Sequence, residues 1–138
     1  MKNDPLVSGE AYLKAWDSKD LEGIAKYLHP EVYFIGPMTE MTGKEEVLQS
    51  AKRLFGLLET LEVRSKFASR DHAIFTYDFV CADPIGVCRT AELMTFKDGL
   101  ISRIELFFDA RPFEKLMQSS QKPVSQSRMP QCATIGPL

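Results

Sequence analysis

From about residue 61 to residue 109 the chain alternates apolar and polar side chains in four successive blocks, LEVRSKFAS, HAIFTYDFVCA, VCRTAELMTF and LISRIELFFD. Period-two alternation puts every second side chain on one face of a strand. Four such blocks in a row therefore predict a sheet with one apolar face that something must cover. DPIG (83–86) and KDG (97–99) are short connections rich in turn residues, so the last three strands form a meander of hairpins. The preceding half of the chain supplies the cover, because its periodicity is helical.

Leu6, Leu13 and Trp16, with Tyr12 beside them, recur at helical spacing behind Pro5, a residue suited to a first turn. Ser18 or Asp20 caps a second helix carrying Leu21, Ile24, Ala25, Tyr27 and Leu28. His29-Pro30 ends it, since the residue before proline disfavours helix. VYFIGP (32–37) reads as a short strand, and Thr42 and Gly43 open a third helix with Val47, Leu48, Ala51, Leu54 and Phe55 on one face. ARPFEKLMQ (110–118) adds a helical turn or two. Helices first and consecutive antiparallel strands afterwards define an α+β fold. One domain is expected over residues 1–118, followed by a poorly ordered tail over 119–138, where Ser, Gln and Pro replace periodicity.

The 138 residues suffice for a buried core. A net charge of −2 with scattered lysines and arginines gives no basic face for nucleic acid. No apolar run approaches the ~20 residues that a bilayer span requires, and MKNDPLVSGE lacks the apolar centre of a secretory leader. A cytoplasmic protein without a membrane or nucleic-acid partner is expected. Three cysteines at unmatched spacings suggest neither zinc nor a disulfide framework. Cys81 and Cys88, flanking DPIG, read as free small hydrophobes, and Cys132 falls in the tail. His29 and His72 have no neighbour at ligand spacing, so no metal is expected.

The chemistry lies in CRTAELMTF (88–96). The even positions Cys88, Thr90, Glu92, Met94 and Phe96 form the more apolar row, as do Leu100, Ser102, Ile104, Leu106 and Phe108 in the next block, so both rows face inward. Glu92 then sits among greasy neighbours, where burial raises a carboxyl pKa and suits the group to acid or oxyanion-stabilising work. Two hairpin registers are open. A type I turn at Pro84-Ile85 with Gly86 in a left-handed bulge sets Asp78 opposite Glu92, facing inward. A plain two-residue loop sets Tyr77 there and turns Asp78 outward. Glycine after the turn favours the bulge, in which two neighbouring carboxylates divide into an acid and a base.

AYLKAWDSKDLEGIAKYLHPEVYFIGP, GKEEVL and AELMTFKDGLISRIELFFD together resemble the nuclear-transport-factor-2-like superfamily in its SnoaL-like and ketosteroid-isomerase-like branch, across about residues 8–113. The resemblance implies a cystatin-like roll: a curved antiparallel sheet wrapped by N-terminal helices into a cone around an apolar pocket. It places the oxyanion-binding tyrosine at Tyr12 and the protonated acid at Glu92, where Glu replaces Asp. The general-base position falls on Gly36, which cannot take a proton, so steroid-type isomerisation is not expected. In the bulge register Asp78 is the candidate substitute base, with a bound water as the alternative proton carrier; the epoxide-hydrolase branch also uses strand-borne carboxylates around a water, but Thr76 stands where it carries an arginine. Trp16, Phe34, Phe67, Met94, Ile104 and Phe108 are the expected pocket wall. The implied protein is a homodimer, and the implied activity is cofactor-independent acid/base chemistry on a small, largely apolar molecule, of isomerase, cyclase, dehydratase or hydrolase type. The alternative is a non-catalytic binding or dimerisation module of the same fold.

Overall fold

The computed structural model describes residues 4–116; the expected tail, with Cys132, lies outside them. Helix α1 spans Pro5–Asp17, with Pro5 in its first turn and the Asp4 carboxylate accepting the Leu6 N–H at 2.9 Å. Of the two candidate caps for the next helix, Asp20 is used: it accepts the Gly23 N–H at 3.0 Å at the start of α2 (Leu21–Lys26), while Ser18 closes α1. β1 (Leu28–Ile35) follows directly, running through Pro30, and turns back into a short strand β2 (Glu40–Thr42). Helix α3 (Lys44–Phe55) starts after Gly43, whose φ of 102° is left-handed backbone favouring glycine. Its Val47 and Ala51 are buried.

Strands β3 (Leu58–Ser69), β4 (His72–Cys81), β5 (Val87–Lys97) and β6 (Leu100–Phe107) form the expected meander. The six-stranded sheet is curved and unclosed, in the order β2-β1-β6-β5-β4-β3. It is antiparallel except where β1 meets β6, which run parallel. The helices between β1 and the meander allow that crossing, since parallel neighbours need a long connection. Residues 111–116 are again helical. No helix of the described residues is long and apolar enough to cross a membrane.

Helix α1 lies close against the inner face. A Cβ added to Gly9 would stand 2.5 Å from a Phe75 ring carbon and 3.1 Å from the Met94 sulfur, so only glycine permits this approach. Asp17, at the other end of α1, accepts the Leu61 N–H of β3 at 2.8 Å. The helix is thereby fixed at both ends, which sets where Tyr12 and Trp16 can reach.

The inner row of β5 is as expected: Cys88, Thr90, Glu92, Met94 and Phe96 are all buried. In β6 the alternation breaks at a register shift between Thr95 and Phe96, opposite which Ile101 becomes the buried residue. Leu100 and Ser102 are only partly buried as a result, while Ile104 keeps its inward place. Bulges of this kind bend a strand.

Candidate functional site

Between the helices and the sheet lies a cavity of about 430 Å³, within the range of sites that hold small organic ligands. Tyr12 and Trp16 of α1, Phe34 and Gly36 of the β1 end, one face of α3, and Tyr77, Thr90 and Glu92 of the sheet line it. Among the described residues that line it, Glu92 is the single carboxylate. It is 3% exposed. Its cross-strand neighbours are Phe75 and Leu106, so no charge compensates it directly.

One hydroxyl does hold it. Tyr77 donates its O–H to Glu92 Oε1 at 2.6 Å, reaching diagonally across the ladder from a residue paired with Thr90. Burial pushes the Glu92 carboxyl up to about 7, with the Tyr77 hydrogen bond working in the opposite direction. The same burial, together with the negative charge of Glu92, keeps Tyr77 and Tyr12 far above the ordinary phenol range. Both hydroxyls therefore stay protonated donors at any physiological pH. A hydrogen bond from Trp16 to Tyr12 opposes that shift without reversing it. Trp16 itself is wedged edge-on between Phe55 and Phe79, with ring centroids 5.5 and 6.3 Å away.

The structure brings together Tyr12, Glu92, Trp16, Phe34 and Phe108 of the sequence-derived set. It separates the others. Asp78 is on the outer face of the sheet, opposite Arg89, and both its oxygens accept from Arg64 Nη1 at 3.3 Å. Neither expected hairpin register forms. The last paired residues are Val80 and Val87, which sets Phe75, not Asp78 or Tyr77, opposite Glu92. The connection is longer because it closes around the Ala82 carbonyl, which accepts from Ile85 and Gly86, and because Ile85 folds in to pack with Cys81, Cys88 and Phe113. Burying that isoleucine outweighs a tighter turn.

Phe67 is 64% exposed, on the outer face beside Ile74, and lies away from the cavity. Met94 and Ile104 are fully buried in the main core, deeper along the sheet than the cavity. Their inward parity was right, but α1 packs directly over that part of the sheet at Gly9. Tyr77 is the residue sequence reasoning undervalued. The alternation of β4 carried the signal: Ala73, Phe75, Tyr77, Phe79 and Cys81 form its apolar row, and Asp78 belongs to the other. Cys81 and Cys88 are free and buried, as expected; burial pushes the Cys81 thiol up to about 11. Among the described residues, no three His, Cys, Asp or Glu side chains gather as ion ligands.

The family described as the SnoaL-like domain matches residues 10–104, most of the chain. The chain belongs to the SnoaL-like family. Its fold is shared by an NTF2-like protein of unknown function from Cytophaga hutchinsonii (TM-score 0.71, 18% identity, covering 80% of this chain and 94% of that one). A proposed ketosteroid isomerase from Kribbella flavida superposes with a TM-score of 0.68 at 19% identity, covering 75% of this chain and 76% of that one. A proposed polyketide cyclase from Sinorhizobium meliloti gives 0.67 at 17% identity, covering 72% and 92%. No curated protein matches the sequence. At these identities the likeness establishes the SnoaL-like fold alone. Gly36, where the isomerase pattern carries its base, lines the cavity, and a Cβ there would meet Leu106 at an unstrained 3.5 Å.

Proposed function

We propose that this SnoaL-like protein is a cofactor-independent enzyme that moves a proton on a small, largely apolar substrate carrying a carbonyl-type oxygen, with Glu92 as its one acid/base group. The observation that carries this reading is the buried Glu92 carboxyl, tuned to about 7 and facing a cavity of ligand size. A base is most effective when its pKa lies near the working pH. In the proposed step the Glu92 carboxylate takes a proton from carbon next to the carbonyl. The C–H electron pair moves to the oxygen as an enolate, and the Tyr12 hydroxyl hydrogen-bonds that oxygen. Returning the proton to another carbon gives isomerisation; delivering it to a departing hydroxyl gives dehydration. Tyr77 holds the carboxyl in place throughout.

Glu92→Gln is expected to lower kcat by about 100-fold or more, as losing a positioned general base typically does. A thermal-shift screen with steroids, terpenoid epoxides and aromatic polyketides identifies the ligand class first, because a ligand that binds only the folded state raises Tm by mass action. Turnover unchanged in the glutamine variant removes Glu92 from the mechanism.

Gly36 supports a second reading, in which the cavity binds without catalysis. Under it, ligands stabilise the wild type and Glu92→Gln alike and no product forms. Either reading is compatible with a homodimer through the outer face of the sheet, where Phe67, Val87 and Phe107 stand exposed. A monomer at micromolar concentration in equilibrium sedimentation would rule that dimer out.

A further inference from the structure

The cavity carries a second charge, at its rim. Arg53 sits on α3 one turn after Ser50, and both residues line the cavity. Arg53 is exposed, Ser50 half-buried and Glu92 buried, so the cationic group stands at the solvent side and the carboxyl at depth. Arg64, Lys66, Arg103 and Arg111 each have a carboxylate partner within 3.3 Å. Among the described residues, Arg53 forms no such ion pair; Arg70 and Arg89 form none either, but of these Arg53 alone lines the cavity. Thr39, on the β1–β2 turn, is a further polar residue of the same lining.

We infer that the substrate is an amphipathic anion whose oxyanion is held by Arg53 and Ser50 at the cavity mouth while its apolar body extends inward to Glu92. This rests on the acid/base reading above for the role of the inner end only. The orientation follows from charge. An anionic group is repelled by the ionised Glu92 and attracted by the guanidinium, whose planar fork matches a carboxylate or a phosphate. The apolar wall of the cavity, including Phe34, Leu54 and Leu57, accommodates only the uncharged part of the ligand. A molecule charged at one end thus enters in one direction, which presents its far end to the single proton-transferring group.

The test compares three probes that share one chain and differ at the end group: decanoate, decyl phosphate and 1-decanol. Their affinities are measured by calorimetry at pH 8 and low salt, in wild type, Arg53→Gln and Arg53→Lys. An anion held by one exposed guanidinium is expected to bind up to about 5-fold more tightly than the alcohol. The preference should shrink with added salt. Arg53→Gln should bring acid and alcohol within about twofold of each other, and Arg53→Lys should keep most of the preference. Whichever of decanoate and decyl phosphate shows the larger Arg53-dependent gain identifies the oxyanion. Equal affinity for anion and alcohol in the wild type, or a preference that survives Arg53→Gln, overturns the inference while leaving the cavity and Glu92 reading intact. Failure of all three probes to bind also overturns the inference, whereas the acid/base reading stands or falls separately on the turnover of Glu92→Gln.

Discussion

Replacing Glu92 by glutamine tests the environment of this side chain apart from any substrate. The carboxyl moves from 4.5 to about 7 on folding, chiefly through burial. Between those values the folded protein keeps a proton that the unfolded chain has released, so raising the pH favours unfolding. The stabilisation associated with the protonated acid is complete below about pH 4.5 and lost by pH 7–8. At 1.36 kcal/mol per unit this is about 3 kcal/mol. Glutamine has nearly the same shape, cannot ionise and still accepts from Tyr77, but its amide brings N–H donors into a buried site at a cost of about 1 kcal/mol. Glu92→Gln is therefore expected to be more stable than wild type by about 2 kcal/mol at pH 8, or roughly 6–8 °C in Tm for a chain of this length. Near pH 5 it should be equal or slightly less stable. Urea unfolding at pH 5, 6, 7 and 8 reads the difference directly, and other titrating groups cancel in the comparison. Profiles that run parallel across this range would refute the buried, weakly compensated carboxyl on which the proposed chemistry depends. A gain in stability combined with loss of turnover would show the cost of holding a charge in an apolar site.

Tyr77→Phe removes the hydrogen bond that Tyr77 donates to Glu92; the carboxyl pKa should rise further, visible in the pH dependence of its NMR carbon shift, with about 1–3 kcal/mol lost from stability. Gly9→Ala forces α1 off Phe75 and should destabilise the fold by about 1–3 kcal/mol in urea melts; displacement of Tyr12 should lower kcat as well. Asp78→Asn breaks only the partly exposed pair with Arg64 and should change stability by less than about 1 kcal/mol and turnover by less than about twofold. A large loss of turnover in that variant would return Asp78 to the mechanism. If ionised Glu92 is the base, kcat/KM should rise with pH and level off above about 7; a flat profile from pH 5 to 8 excludes it.

The alternation of the C-terminal half was enough to derive a one-sided sheet, the inward row of β5 and the burial of Glu92, because side-chain parity is a local property of extended backbone. Helix starts at Pro5 and after Asp20 were likewise legible, since a cap is made by residues two or three apart. Register was not. Whether Asp78 or Phe75 faces Glu92 depends on how many residues the 81–86 connection absorbs, and that is settled by Ile85 packing against Phe113, a residue 28 positions later. Depth along the sheet was also invisible. Met94 and Glu92 share one inward row, yet Gly9 of α1 packs directly over Phe75 and Met94 while Glu92 lines the cavity, leaving one side chain in the core and the other at a cavity. The chain by itself determined which faces are apolar; only long-range packing decided where those faces meet and where they leave room.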